Sequence, residues 1–335
     1  ILSKENGKTL LQCEGEFDGA ASVFDYYAGI TDKIEYKLIP SSNDTFNYVI
    51  LEPYGVSLQI IPWNYPISLF ARSVAVSFVV GNTIVIKPPE LCPISSNIFG
   101  KIFEEIELPP GLVNIVHGYG EVTGKKLVKH KKVNQVVFTG STEVASEIIR
   151  ETADRIIPCH LELGGKSPNI VFDDADMDAA VMGVISGIFA ATGQTCIAGS
   201  RLLLHEDIHD EFVSKLVSVA KEASIGDPMM ESTNVGPVTT EPQFKKIIDY
   251  IEIAKSEGAT CVLGGNKYNG PGSKGQRFVE PTIFTNVKNN MRIAQEEVFG
   301  PVLSIIRFKD EKEAIEIGND ILFGLAAGVW TSDIG

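Results

Sequence analysis

The chain has 335 residues, of which 29 are Lys or Arg and 43 are Asp or Glu, so its formal net charge is −14. This negative charge repels phosphate backbones and anionic lipid surfaces, which argues against nucleic acid or a membrane as a partner. No apolar run approaches the roughly 18 residues that a membrane span requires. Since single cores rarely grow beyond roughly 250–300 residues, the length favours two domains.

Apolar strands alternate with helices through the first half of the chain. A helix at 17–28 and a polar link at 40–44 precede two strand-like runs, 48–52 and 56–62. The strands and helices predicted next are 66–79 (helix), 83–87 (strand), 95–105 (helix), 112–117 (strand), 121–131 (helix), 133–139 (strand), 142–153 (helix) and 157–163 (strand). This alternation predicts a parallel sheet covered on both faces, which is a doubly wound α/β domain.

A second α/β block begins near Gly164 and Gly165. Its predicted strands are 169–172, 201–204, 260–263, 278–283 and 302–308, and its predicted helices are 179–192, 210–223, 243–257 and 312–318. The boundary between the two domains is therefore predicted at residues 164 and 165.

The cysteines lie at 13, 92, 159, 196 and 261, an odd number of widely scattered positions. This pattern is typical of reduced thiols in the cytoplasm rather than of a disulfide framework. The first residues are typical of the end of a helix and the last follow a strand, so we expect a chain truncated at both ends.

Cys196 lies in the stretch Gly193–Ser200, between an apolar helix and an apolar strand. Past Gly193 the helical pattern stops, so the thiol is expected on a turn that a substrate can reach. Two interpretations are open on this stretch alone: a nucleophile, or the small buried hydrophobe that most free cysteines are.

Two strand ends carry groups suited to a nucleotide. Lys87-Pro88-Pro89-Glu90 follows a strand, where open α/β sheets bind ligands, and ribose hydroxyls can bond to both charged side chains; a surface ion pair is the alternative. The stretch 138–142 brings Gly140 and Ser141 to a helix N-terminus, which suits a pyrophosphate, with an N-cap lacking a ligand as the alternative. The glycines of 118–124 are spaced one residue too widely for a Rossmann fingerprint and are weak support.

Glu162 lies in the apolar run that closes the first domain. Desolvation there would make its carboxylate a better general base; a salt-bridged strand residue is the alternative.

The segment 205–209 fits the H-E-x-x-H pattern, but a zinc site of that kind needs both histidines on one helix face. Because His205 ends a predicted strand, we predict no metal.

Taken together, these stretches resemble the aldehyde dehydrogenase superfamily over the whole chain. Six motifs in the family's order carry the resemblance: 62–66 (PWNYP), 87–90 (KPPE), 138–144 (FTGSTEV), 161–166 (LELGGK), 193–196 (GQTC) and 296–301 (EEVFGP). The resemblance implies a cofactor domain at 1–33 and 53–164, part of a small oligomerisation sheet at 34–52, and a catalytic domain at 165–335 that is incomplete at its carboxyl end.

The resemblance also implies the chemistry, an oxidation of an aldehyde to a carboxylic acid with NAD or NADP. Cys196 would be the nucleophile, forming a thiohemiacetal and then a thioester. Asn64 and the backbone N–H of Cys196 would hold the oxyanion, and Glu162 would activate the hydrolytic water. The rival functions are a CoA-acylating enzyme of the same superfamily, which Glu162 counts against, and a non-catalytic truncated derivative of the fold.

The cofactor contacts implied by the resemblance are Trp63, Lys87, Glu90, Gly140, Ser141, Leu163, Glu297 and Phe299. NAD is preferred over NADP because a carboxylate at Glu90 would repel a 2′-phosphate. Arg72, on the helix after Asn64, is a candidate clamp for an anionic group on the aldehyde, with a helix-surface arginine as the alternative. By the same likeness the protein is expected to form a homodimer or homotetramer.

Overall fold

The computed structural model describes residues 1–273 and 276–333. The chain divides into two compact units: the first contains Ile1 and Glu14–Glu162, and the second contains Leu2–Cys13 and the chain from Leu163 onward. The last two residues of the predicted catalytic domain, 334 and 335, lie outside the described part.

The helices of the described residues are α1 (Leu2–Asn6), α2 (Leu10–Ala28), α3 (Pro66–Val79), α4 (Pro93–Glu105), α5 (Lys125–Val128), α6 (Thr142–Ala153), α7 (Met177–Phe189), α8 (His209–Lys221), α9 (Glu241–Ser256), α10 (Arg292–Gln295) and α11 (Glu311–Asn319). The strands are β1 (Lys37–Ile39), β2 (Asn47–Val49), β3 (Val56–Ile60), β4 (Thr83–Lys87), β5 (Val113–Ile115), β6 (Gln135–Thr139), β7 (Cys159–Glu162), β8 (Pro168–Val171), β9 (Arg201–His205), β10 (Thr260–Leu263), β11 (Thr282–Thr285), β12 (Val302–Phe308) and β13 (Gly328–Trp330). No helix in this part of the chain is long and apolar enough to cross a membrane.

The first unit is built on a five-stranded sheet in the order β5-β4-β3-β6-β7, with every pair parallel. The chain leaves β3 toward β4 and β5 on one side and returns to β6 on the other, so the strand order reverses between β3 and β6. Ligands of open α/β sheets bind outside the carboxyl ends of the strands at such a reversal. The predicted doubly wound parallel sheet is confirmed.

The second unit contains a six-stranded sheet in the order β10-β11-β12-β9-β8-β13. It is parallel except for its edge strand β10, which runs antiparallel to β11. Adjacent residues of β9 point to opposite faces: Leu203 joins a buried cluster with α9, whereas Leu202 and Leu204 join a second cluster with α7 and α8. Both faces are therefore covered, as the continuous apolar strands predicted.

Residues 2–13 belong to the second unit, whereas the sequence assigned residues 1–33 to the first domain. Thr239 Oγ1 donates a hydrogen bond to the backbone oxygen of Asn6 at 2.7 Å. Gly7 has a φ of +84°, and a Cβ at this position would lie 2.9 Å from Pro237. These contacts join residues more than 200 positions apart, which a local pattern does not reveal.

Several boundaries differ from the prediction. β2 is shorter than the predicted run 48–52 and pairs antiparallel with β1. The predicted strand 278–283 begins only at Thr282, because Val279 forms an isolated bridge with Lys267 instead. The predicted helix 121–131 is a π-helix, Gly120–Gly124, followed by the short α5.

Candidate active site

A cavity of the first unit lies at the carboxyl edge of its sheet. It has a volume of about 510 Å³, within the roughly 300–1,000 Å³ typical of small-molecule sites. Its wall includes the ends of β3, β4 and β6, the π-helix Gly120–Gly124, α5 and α6, and the predicted cofactor residues Trp63, Lys87, Glu90 and Gly140 all line it. Four residues separated in sequence thus meet at the strand reversal.

Lys87 and Glu90 form a charged pair on this wall. The Lys87 ammonium, whose side chain is almost completely buried, donates to Glu90 Oε2 at 2.9 Å and to the backbone oxygen of Pro88 at 3.1 Å. Partial burial opposes ionisation of Glu90, but the hydrogen bond and charge of Lys87, with backbone N–H groups, hold its pKa below the usual value. The carboxylate is therefore charged at neutral pH and presents hydrogen-bond acceptors to the cavity.

Gly140 and Ser141 connect β6 to α6 and have different roles. A Cβ at Gly140 would lie 2.4 Å from the ring of Phe138, so no larger residue fits without displacing that ring. Ser141 caps α6, its hydroxyl accepting from the backbone N–H of Val144 at 3.4 Å. Ser141 does not line the cavity, and its contact with a pyrophosphate stays a prediction.

Asn64 lies in the segment between β3 and α3 and is buried, with 7% of its surface exposed. The segment is anchored by a carboxylate that the sequence did not indicate. Glu16 Oε1, itself buried, accepts from the backbone N–H groups of Ile67 and Ser68 at 2.8 and 3.0 Å. A negative charge at a helix N-terminus is stabilising, so Glu16 fixes the start of α3 close to Asn64 in the chain.

Glu162 ends β7, where its backbone oxygen accepts from the N–H of Gly140 at 3.0 Å. The expectation that its side chain is desolvated is wrong, since the residue is exposed. β7 is the edge strand of the sheet, and its residues alternate between half-buried and exposed. Because successive side chains of a strand point to opposite faces of the sheet, the apolar residues next to Glu162 in the chain do not cover its own face.

Cys196 follows a strained turn in the second unit. Ala191 and Thr192 adopt left-handed backbone angles, with φ of 50° and 57°, and Gly193 continues them with a φ of 70°. Left-handed angles are rare for a β-branched residue such as Thr192. Bonds to the segment 236–239 help to hold the turn: Thr192 Oγ1 donates to the oxygen of Gly236 at 3.1 Å, and Gln194 Oε1 accepts from Thr239 N at 3.0 Å.

The turn of Cys196 and the loop of Glu297 meet at Gly164 and Gly165. A Cβ on Gly165 would lie 2.6 Å from the backbone oxygen of Cys196, and one on Gly164 would lie 2.5 Å from Glu297 Oε2. The N–H of Gly165 donates to Glu297 Oε1 at 3.1 Å. The backbone of the nucleophile candidate and the carboxylate of this cofactor candidate therefore both lie against Gly165.

Phe299 completes the set of predicted cofactor residues on the second unit. It has a φ of 58°, and Gln243 Nε2 donates to the oxygens of Val298 and Phe299 at 2.8 and 3.0 Å. The loop that carries Glu297 and Phe299 is thus tied to α9.

Two buried cations next to these glycines were missed by the sequence analysis. Arg201 is completely buried, and its guanidinium donates to the oxygens of Lys166, Ile317 and Gly318 at 2.8–3.0 Å. Within the described residues, Nζ of Lys166 has no hydrogen-bond partner. Desolvation, reinforced by the charge of Arg201, lowers the pKa of Lys166 to about 7.

The remaining predicted residues divide between the units. Asn64 and Glu162 belong to the first, whereas Cys196 and Leu163 belong to the second. Arg72 lies on the exposed face of α3, and its role as an anion clamp stays a prediction.

The histidines of the H-E-x-x-H pattern bond to different groups. His205 Nε2 lies 3.1 Å from the oxygen of Lys309, whereas His209 Nδ1 lies 2.7 Å from Asp210 Oδ1. Among the residues that the structure describes, the ligand atoms of His205 lie near those of Asp173 and Asp207. The two histidines are therefore not presented together as a zinc site requires.

Comparisons with known proteins identify a family over the whole chain. The model of the aldehyde dehydrogenase family matches residues 1–335. An aldehyde dehydrogenase from Aspergillus niger is 42% identical over 100% of this chain and 67% of its own length. Retinal dehydrogenase 2 from Homo sapiens is 45% identical over 99% of this chain and 64% of its own.

Solved structures agree with these relatives. Betaine aldehyde dehydrogenase from Staphylococcus aureus, crystallised with NAD⁺, has a TM-score of 0.96 and 39% identity over 100% of this chain and 66% of its own. The chain thus spans about two thirds of the length of the relatives that it matches.

Replacing the buried ammonium by Lys166→Met should change how stability depends on pH. The pKa of Lys166 is about 7 in the folded protein and about 10.4 in an unfolded chain. Between these values the unfolded state binds one more proton, so the free energy of unfolding of the wild type rises with pH. We expect Lys166→Met to have a higher free energy of unfolding than the wild type below about pH 7. The difference between the two proteins should decrease as the pH rises toward about 10.

Urea denaturation of both proteins at several pH values measures this gap. Lys245→Met, which replaces a lysine on the exposed face of α9, is the control and should show no such narrowing. A gap for Lys166→Met that stays constant from about pH 6 to 10 would contradict the prediction.

Proposed function

Because this chain belongs to the aldehyde dehydrogenase family, we propose that it oxidises an aldehyde to the corresponding carboxylic acid with NAD as hydride acceptor. The contact at Gly165 is the observation that carries the proposal. It holds the turn of Cys196 and the carboxylate of Glu297 against the same backbone.

In the proposed reaction, the thiolate of Cys196 attacks the aldehyde carbonyl carbon and forms a thiohemiacetal. The amide of Asn64 and the backbone N–H of Cys196 stabilise the negative charge on the former carbonyl oxygen. When that oxygen re-forms its double bond, the hydride leaves the carbon; bound NAD supplies the site that accepts it. A thioester on Cys196 remains.

Hydrolysis completes the cycle. Glu162 takes a proton from water, the resulting hydroxide attacks the thioester, and the carboxylic acid leaves as the Cys196 thiolate is released. The exposure of Glu162 supports this role, since a carboxylate that activates water must be reached by it.

The residues lining the cavity of the first unit fit a dinucleotide. Glu90 and Lys87 offer an acceptor and a donor to ribose hydroxyls, and the N-terminus of α6 follows Gly140, where backbone N–H groups favour a phosphate. Glu297 and Phe299 are the proposed contacts of the nicotinamide ribose and ring, and Trp63 and Leu163 are proposed to lie along the cofactor.

The aldehyde itself is proposed only by class. Arg72 is the proposed contact for an anionic group on the substrate, supported by its exposure on α3. If the wild type has the same kcat/KM for a carboxylated aldehyde as for an aliphatic one, Arg72 does not contribute this contact.

Cys196→Ala should abolish NADH formation, and Glu162→Gln should give one burst of NADH followed by slow turnover. The first variant lacks the nucleophile, whereas the second forms the thioester but hydrolyses it slowly, with a loss of about 10²–10⁴-fold in steady-state rate. Stopped-flow absorbance of NADH with aliphatic, aromatic and carboxylated aldehydes measures both.

Cys159→Ala is the control for the thiol, because Cys159 is also partly buried and free; it should keep wild-type turnover. Acceleration of the wild type by coenzyme A would favour the CoA-acylating reaction instead. A folded wild type that forms no NADH with any aldehyde would favour a non-catalytic derivative.

Glu90→Ser should shift cofactor preference toward NADP. Two like charges about 4 Å apart near a protein surface repel by about 4 kcal/mol, so removing this carboxylate favours a 2′-phosphate and leaves Lys87 to bind it. We expect kcat/KM to rise for NADP at least about tenfold and to fall for NAD about threefold to tenfold.

Steady-state kinetics with both cofactors measures this shift. Glu151→Gln is a matched control, since Glu151 lines the same cavity but pairs with Lys129 at 3.0 Å. An unchanged ratio of NADP to NAD in Glu90→Ser would show that Glu90 does not set the preference.

We infer that a second copy of the chain covers the sheet of β1 and β2. All its residues are exposed, including Leu38 and Tyr48, and Phe46 next to it is 75% exposed. An isolated two-stranded sheet is marginal in water. Light scattering should give a dimer or tetramer mass for the wild type and a smaller mass for Leu38→Glu with Tyr48→Glu; a wild-type monomer would refute the inference.

A further inference from the structure

Three interactions converge on the carboxylate of Glu296, next to the proposed cofactor contact Glu297. The guanidinium of Arg292 donates through Nε to Oε1 at 2.8 Å and through Nη2 to Oε2 at 2.9 Å. The hydroxyl of Tyr250, on α9, also donates to Oε2. Both carboxylate oxygens are therefore fixed by directed bonds.

The backbone of Glu296 is fixed by the same residue as its side chain. Its N–H donates to the oxygen of Arg292 at 2.8 Å, which ends α10 at this point. Arg292 thus holds Glu296 at two places, and Tyr250 ties both to α9.

The electrostatic environment keeps Glu296 ionised and Tyr250 protonated. The hydrogen bond from Arg292 is the largest influence on Glu296 and lowers its pKa to about 2. Desolvation and the bond to Glu296 raise the pKa of Tyr250 to about 12. The guanidinium also lies over the Tyr250 ring, 5.5 Å from its centre. Across the neutral range Glu296 stays charged and Tyr250 keeps its donated proton.

Glu297 follows Glu296 directly, so its Cα lies about 3.8 Å away. A displacement of Glu296 is therefore passed to Glu297, whose carboxylate accepts the N–H of Gly165 through Oε1 and lies close to Gly164 through Oε2. The position of the Glu297 carboxylate therefore depends on two fixed ends, Gly165 and Glu296.

Stability alone does not account for the cluster. The side chains of Arg292 and Glu296 are 50% and 41% exposed, and exposed ion pairs contribute only about 0–1 kcal/mol. An exposed ion pair does not require three directed bonds to one carboxylate. Here the three bonds fix the residue that directly precedes Glu297, so their effect falls on the loop that carries Glu297.

We propose that Tyr250 and Arg292 are positioning residues for NAD: through Glu296 they hold the Glu297 carboxylate where the nicotinamide ribose binds. This proposal rests on the proposed function of Glu297. Neither residue contacts the reacting atoms, so their effect reaches the reaction through the loop Glu296–Gly300.

Tyr250→Phe, Arg292→Lys and Arg292→Ala test the proposal. Tyr250→Phe removes the hydrogen bond from the phenol to Glu296 and keeps the ring. Arg292→Lys keeps the positive charge but cannot make both hydrogen bonds of the guanidinium. We expect KM for NAD to rise about threefold to tenfold in Tyr250→Phe, with KM for the aldehyde unchanged. Arg292→Ala should show a larger rise, and Arg292→Lys should restore part of the loss.

Hydrogen–deuterium exchange without cofactor or aldehyde gives a readout independent of activity. Amides of residues 297–300 should exchange about threefold to tenfold faster in Tyr250→Phe than in the wild type. Glu316→Gln is the matched control, because it breaks the exposed pair of Lys312 and Glu316 at the same i, i+4 spacing on α11; it should change neither exchange nor KM.

Unchanged exchange at residues 297–300 in Tyr250→Phe would overturn the proposal, as would KM values that rise equally for NAD and aldehyde together with a lower melting temperature. A wild type that forms no NADH would overturn the proposed function instead, and the exchange rates would still decide whether Tyr250 and Arg292 hold the loop.

Discussion

The absence of a side chain at Gly165 is the constraint on which the site of the second unit depends. The backbone there lies so close to Cys196 that a Cβ would be 2.6 Å from its carbonyl oxygen, while the N–H of the same residue bonds to Glu297. Gly193 makes a similar approach, since a Cβ on it would lie 2.1 Å from the oxygen of Gly300. The approaches of Gly165 to Cys196 and of Gly193 to Gly300 are between backbones and cost no side-chain rotamer entropy, whereas the bond from Gly165 orders the one side chain of Glu297.

That packing also explains why a strained turn persists. A residue in the left-handed region costs about 1–3 kcal/mol when it is not glycine, and Ala191 and Thr192 both lie there. The strain is offset by the bonds of Thr192 and Gln194 to the segment of Gly236 and Thr239, and by burial of both strained residues. Such a turn has few alternative conformations, so the backbone leading to Cys196 is set during folding rather than when a substrate arrives.

The sequence predicts elements best where the local pattern is complete. The bounds of α3, β4, α6, β10 and β12 match the predicted ranges to the residue. Pro66 at the first turn of α3 and the Ser141 cap of α6 mark their starts within the sequence itself. Pairings over long distances carry no such mark, and the bond of Asn6 to Thr239 shows why residues 2–13 group with the second unit rather than with the residues that follow them in the chain. Lys87 and Glu90 were found because parallel strands bring their carboxyl ends to one edge of the sheet, and Gly140 because it precedes a helix N-terminus, whereas Trp63 came only from the family resemblance.

Which charged side chains are buried was the property that the sequence predicted least well. Glu162 was expected to be desolvated because its neighbours in the chain are apolar, yet it lies on an edge strand and is exposed. Lys166, only four residues later, is almost completely buried and has the pKa of its ammonium lowered to about 7. The two differ in what surrounds their backbones: Glu162 has a strand on one side only, whereas the backbone oxygen of Lys166 accepts a bond from the buried Arg201. A charge is therefore desolvated by the elements packed around it, and not by the apolar residues beside it in the chain.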